Sequence, residues 1–108
     1  METKVGVIRK ITEIKEPVRR QRQTDEEWQT QLKRYEDDRK GGFDRKIFIL
    51  ASEYQDIDGE IVEYQALYST KIKETEDLEE GQKVEVIGRP YFLNGRLGFN
   101  KNALIKKL

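Results

Sequence analysis

Between Gly81 and Leu108 the chain reads GQKVEVIGRPYFLNGRLGFNKNALIKKL, and this stretch narrows the choice of fold more than any other. Asn94-Gly95 supplies the two positive-φ positions that a tight type I′ hairpin turn requires. A strand of Lys83 to Ile87, interrupted by Gly88 and carried on by Arg89 to Leu93, leads into the turn. A second strand, Arg96 to Phe99, leaves it and continues towards Asn102 to Ile105. Glycines inside strand-like runs mark bulges or sharp bends, where a sheet coils instead of lying flat. A strongly bent terminal hairpin is what a small closed barrel needs.

The rest of the chain supplies the other strands. Lys4 to Lys15 reads as the first, with Val5, Val7 and Ile11 on one parity and Ile8 and Ile14 on the other. The phase change near Gly6 to Arg9 predicts a bent strand. A helix is the competing reading, because Ile8, Ile11 and Ile14 are three apart; β-branched residues and the lack of a cap favour the strand. Phe43 to Ser52, apolar on both faces, is expected to be the central second strand. Asp58-Gly59 is the next hairpin tip, and Ile61 to Thr70 returns as the third strand. That strand has Val62, Tyr64, Ala66 and Tyr68 on one face. Lys71 to Glu80 is a short acidic linker, either one helical turn or a loop.

One helix interrupts this series, at about residues 24–41. Thr24 with Glu27 three residues later makes a capping box. Asp25, Glu26 and Glu27 crowd the positive end of the dipole, Arg39 and Lys40 lie at the negative end, and Gly41-Gly42 ends the run. Trp28, Leu32 and Tyr35 form one narrow apolar stripe, with Trp28 the expected docking anchor. The prediction is a mainly β single domain over 1–108 with one α-helix: a five-stranded, partly open Greek-key barrel, the helix inserted between strands 1 and 2. A β-sandwich and a six-stranded split barrel compete with it.

Composition removes several functional classes. Without Cys or His the chain has no disulfide, no thiolate and none of the commonest acid–base or metal-binding side chains. No nucleophile elbow or phosphate loop is present, and consecutive carboxylates such as Asp37-Asp38 or Glu79-Glu80 point apart. Asp56-Ile57-Asp58-Gly59 lacks the further ligands of a calcium loop and reads as a hairpin tip. The expectation is a protein without catalysis, cofactor or metal. No apolar run approaches the length of a bilayer span and no secretory h-region opens the chain, so no membrane association and a cytoplasmic location are expected.

Net charge is zero, with 21 basic and 21 acidic residues, yet the signs are segregated. Residues 1–22 are basic, the linker up to Glu80 is acidic, and Gly81 to Leu108 is basic apart from Glu85. Tyr64, Tyr68 and Tyr91 present rings on which bases can stack, and Arg45, Lys46, Arg89, Arg96 and Lys101 can track phosphates. Arg19, Arg20 and Arg22 add charge to the first inter-strand loop. Each of these also has a bland reading, since tyrosines are common on half-exposed strands and charged loops are usually just solvated.

The pattern L-x-x-G-x-x-V-x-V-x-G-R-x-x-x-x-x-G-R, carried by Leu78, Gly81, Val84, Val86, Gly88, Arg89, Gly95 and Arg96, resembles the fourth and fifth strands of oligonucleotide-binding (OB) barrels. It is most similar to bacterial single-stranded DNA-binding proteins and their small primosomal relatives. The resemblance covers about the last third of the chain, and the early helical insert departs from it. It implies low-specificity binding of single-stranded nucleic acid, DNA before RNA, as an accessory to replication, recombination or repair. It also adds weight to a homodimer, for which the unpaired edges of a partly open sheet are a second reason. The stripe Trp28, Leu32, Tyr35 then covers the chain's own sheet or a second subunit. The alternative is a protein-interaction module built on a small barrel, its partner held through Trp28, Leu32 and Tyr35, with the zero net charge and the acidic segment Glu74 to Glu80 as further reasons.

Overall fold

The computed structural model describes residues 1–108. More than half of them lie in strands: β1 (Glu2–Glu13), β2 (Phe43–Ile57), β3 (Glu60–Lys73), β4 (Lys83–Gly88), β5 (Pro90–Leu93), β6 (Arg96–Phe99) and β7 (Leu104–Lys107). The one helix, α1, spans Asp25–Lys40 between β1 and β2. Both hairpin tips take the predicted turn, with Asp58 and Gly59 at φ 52° and 85° and Asn94 and Gly95 at 52° and 74°. The phase change in β1 is a bulge between Ile8 and Lys10. It brings Ile8 and Ile11 onto one face despite their opposite parity.

The strands form one sheet in the hydrogen-bonded order β5-β6-β3-β2-β1-β4-β7. All neighbours are antiparallel except β3 and β6, which run parallel through Tyr68–Leu97 and Ser69–Gly98. β2 stands at the centre, as its two apolar faces predict. The expected five strands are seven here, because each arm of the terminal hairpin is broken. The pairing changes from Ile87–Leu104 to Pro90–Phe99, which leaves extra residues on the second arm. They fold into a turn in which Ala103 N–H bonds the Asn100 carbonyl at 3.0 Å, while Asn100 N–H reaches Arg89 at 3.1 Å. Arg89 alone separates β4 from β5, so the two ends of the strand order are two halves of one bent hairpin. β5 and β7 each pair on one side only, and the sheet is open.

Ile8, Ile47, Ile49, Ile72, Val84 and Val86 are the most deeply buried side chains, joined by Leu78 from the linker and Phe99 from β6. Only 18 of 108 residues are buried, so few side chains sustain the fold. The linker is a loop that Gly81 and Gln82 tie to β1, through bonds of 2.7 and 2.9 Å to Ile8. Beyond Ala51, β2 loses β1 as a neighbour, and the β2–β3 hairpin continues alone as an arm to Ile57 and Glu60. The arm explains a radius of gyration of 15.9 Å, against about 13 Å for a compact chain of this length. No helix is long and apolar enough to cross a membrane.

Helix α1 starts as predicted: the Thr24 hydroxyl accepts from Glu27 N–H at 3.2 Å. The anchor differs from expectation. Trp28, Leu32 and Tyr35 are only half-buried, and the one buried residue is Asp38, a turn further along the same stripe. Asp38 bonds Lys71 of β3, so the stripe turns towards the chain's own sheet.

Candidate nucleic-acid interface

Residues paired across neighbouring strands share a face. On the face turned away from the core, Phe48 pairs with Ser69, Ser69 with Gly98, and Gly98 with Tyr91. A row therefore crosses β2, β3, β6 and β5 with an aromatic ring at each end. Gly98 is what lets Tyr91 lie down on the sheet. A Cβ at Gly98 would stand 2.6 Å from Tyr91 Cζ and Oη and 2.8 Å from the Ser69 carbonyl. Phe48, Leu67, Ser69, Phe92 and Arg96 line a groove of about 380 Å³ along this row.

Cations flank the row. Lys46 and Lys71 pair across β2 and β3, and Lys46 Nζ stands 5.5 Å from the centre of the Phe48 ring. Burial, then the neighbouring charges of Lys71 and Arg96, hold the Lys46 ammonium below the usual lysine range, with Asp38 opposing the shift. Lys101 bonds Asp38 at 3.1 Å. Lys46, Lys71 and Lys101 then line a second cleft of about 190 Å³, shared with Thr70, Asn100 and the edge of Tyr91. Stacking rings beside ammonium and guanidinium groups suit a polyanion with exposed planar bases.

The residues singled out by sequence divide into three groups. Lys46, Tyr91, Arg96 and Lys101 come together on this face. Tyr68 does not: it is 6% exposed, on the core face with Ile49 and Ala66. Its ring packs 5.4 Å from that of Phe99, and its hydroxyl donates to Glu53. Burial first, then the Glu53 carboxylate, push its pKa above the ordinary tyrosine value. Glu53 also accepts from Lys4 at 2.8 Å, and this bond, with that of Tyr68, outweighs burial and lowers its pKa. Tyr64 shares Tyr68's parity and sits exposed on the arm, opposite Glu53. The predicted parity is right, but the face it selects is the core side.

Arg45 lies outside both clefts and clamps the linker. Its guanidinium donates to the carbonyls of Lys73 at 2.9 Å and Glu76 at 2.8 Å, closing the linker. Arg89 lines a separate groove with Met1, Ile87 and Leu104. Arg19 pairs with Asp25 at the start of α1, and Arg20 and Arg22 are exposed in the same connector, none of them lining either cleft. Phe48, Lys71 and Asp38 join the site without having been expected from sequence. Phe48 and Lys71 carried a signal, being on one face of β2 and β3 once Lys46 is placed; Asp38 carried none beyond its position on the stripe.

No family model matches the chain, and no curated protein or solved structure matches it either. The residues of the face are therefore the ground for a functional reading.

Proposed function

We propose that this chain is an OB-type barrel that holds single-stranded nucleic acid, DNA before RNA, with little sequence preference and no catalysis. The row Phe48–Ser69–Gly98–Tyr91, flanked by Lys46, Lys71, Arg96 and Lys101, carries the reading. Each base has a π-face, so stacking on Phe48 and Tyr91 tolerates any sequence. The hairpin bent at Arg89, with halves at both ends of the sheet order, supports the barrel: curling brings those ends together. An accessory role in replication, recombination or repair follows from such binding.

Fluorescence anisotropy with labelled oligo-dT tests the proposal. A lone subunit is expected to bind in the micromolar range, because its net charge is zero. Four cations on the face predict that log K falls with log salt at a slope of about −2 to −3. A flat titration at low salt, up to high protein concentration, would sink the proposal.

The arm favours a second reading, a protein-interaction module. From Ile47 to Thr70 the chain has no Lys or Arg, while Glu53, Asp56, Asp58, Glu60 and Glu63 are all acidic. Tyr54, Ile57, Ile61 and Val62 are exposed there, and a two-stranded hairpin alone is marginal in water. Such a surface repels phosphates and suits a basic, partly apolar partner. The chain has one of its own in the free β7 edge, with Lys106, Lys107 and exposed Leu104. We propose a homodimer in which each arm docks on the partner's β7, a reciprocal exchange that closes at two copies. Light scattering at tens of micromolar is expected to give twice the chain mass, and Ile57→Lys with Ile61→Lys to halve it. A monomer mass for the unaltered chain refutes the dimer.

A further inference from the structure

Helix α1 is charged all round except for its half-buried stripe, yet the one side chain it buries is a carboxylate: Asp38 is 3% exposed. Burying a charge is costly unless it is paired, and Asp38 is paired twice. Its Oδ2 accepts from Lys71 Nζ at 2.7 Å and its Oδ1 from Lys101 Nζ at 3.1 Å. Lys46 and Lys71 line the groove on the helix side of the same carboxylate. One negative charge therefore faces three ammonium groups. Asn100 adds a polar residue to the wall, while Thr70, paired with the buried Ile47, turns its hydroxyl to the core side behind them. The cleft offers more positive charge than Asp38 uses.

Two oxygens sharing one negative charge describe a carboxylate, and equally the non-bridging oxygens of a phosphodiester. We propose that the cleft of Lys46, Lys71, Asn100 and Lys101 is a phosphate site on the nucleic-acid face, that Asp38 occupies it in the free chain, and that a bound phosphate displaces Asp38 and releases helix α1. The inference rests on the single-stranded nucleic-acid reading above and extends it. Two anions cannot share the three lysines without mutual repulsion, so helix docking and phosphate binding compete. The helix is built to leave. Its stripe is half-buried, a coil of some ten residues precedes it, and Gly41-Gly42 follows, Gly42 at φ 82° with open space around it. Docking by Asp38 lowers the apparent affinity to the intrinsic value times the fraction of molecules in which the site is free.

The test uses the full chain, with Asp38→Asn, in two measurements. Anisotropy with oligo-dT is expected to show Asp38→Asn binding at least about fivefold tighter than the parent, the inverse of that fraction. Hydrogen exchange of the α1 amides needs no variant, so the test survives if Asp38→Asn folds poorly. These amides are expected to lose protection when oligo-dT saturates the parent chain, and Trp28, the only tryptophan, to shift its emission to the red. Loss of protection with millimolar inorganic phosphate alone makes the site a receptor for free phosphate groups; loss with oligo-dT alone makes it part of the strand's track. Both support the site. Oligo-dT that binds with α1 still protected, and no tighter to Asp38→Asn, overturns this inference and leaves the nucleic-acid reading standing. No oligo-dT binding by either chain overturns both.

Discussion

Gly6→Val is expected to leave the chain without a stable fold, and Gly6→Ala to destabilise it by about 2–3 kcal/mol. Gly6 is buried in β1, paired with Ala51 of β2 on one side and Val84 of β4 on the other. A Cβ there would stand 2.5 Å from the Leu50 carbonyl oxygen, 2.9 Å from its carbon and 2.6 Å from Ile49 Cγ2. The first two are backbone atoms of the central strand, and no rotamer change moves them. Relief requires β1 to separate from β2, which breaks a ladder on which the β1 bulge and β4 also depend. A domain of this size has about 5–15 kcal/mol of stability in total, and a core of 11 buried residues argues for the lower end. Valine adds two more carbons to the same space. Urea denaturation decides it: an alanine variant with the parent's midpoint and slope would mean that β1 is not held where these contacts place it.

Tyr91 and Tyr68 are expected to separate cleanly. Tyr91→Ala should weaken oligo-dT binding by about 1–3 kcal/mol, or roughly 5- to 150-fold, because it removes a stacking platform. Its stability should move by less than about 1 kcal/mol, since the ring is 40% exposed and rests on the outer face. Tyr68→Ala should do the reverse and cost about 3–5 kcal/mol of stability by emptying the core beside Phe99. Tyr68→Phe keeps the ring and loses the bond to the charged Glu53, at about 1.5–3 kcal/mol. Measuring both properties for all three variants is the check. Tyr68→Phe losing binding at unchanged stability, with Tyr91→Ala binding normally, would invert the assignment of the two faces.

Much of this architecture is local in origin, and local features are readable. The two type I′ turns follow from Asp58-Gly59 and Asn94-Gly95, because few residue pairs tolerate consecutive positive φ. The helix start follows from Thr24 and Glu27, and the bend in β1 from a hydrophobic pattern that changes parity. Lys46, Tyr91, Arg96 and Lys101 could be picked out as chemistry-bearing residues because their types and their strand context are both visible in the chain.

Pairing decided the rest. Period-2 alternation puts Tyr64 and Tyr68 on one face, but only the neighbours of β3 determine whether that face meets the core or solvent. The parallel contact of β3 with β6 aligns Phe48, Ser69, Gly98 and Tyr91, residues from four strands that no local pattern links. Arg45 looks like any other strand arginine until the linker returns and offers it three carbonyls. Asp38 is the strongest case. On the helix it is one carboxylate among many, and its burial depends on two lysines 33 and 63 residues further along the chain. The sequence by itself determined turns, caps and the identity of the apolar residues, since each depends on a few neighbouring dihedrals. Only the tertiary structure decided which side chains meet, because strand order and register set those distances over the whole length of the chain.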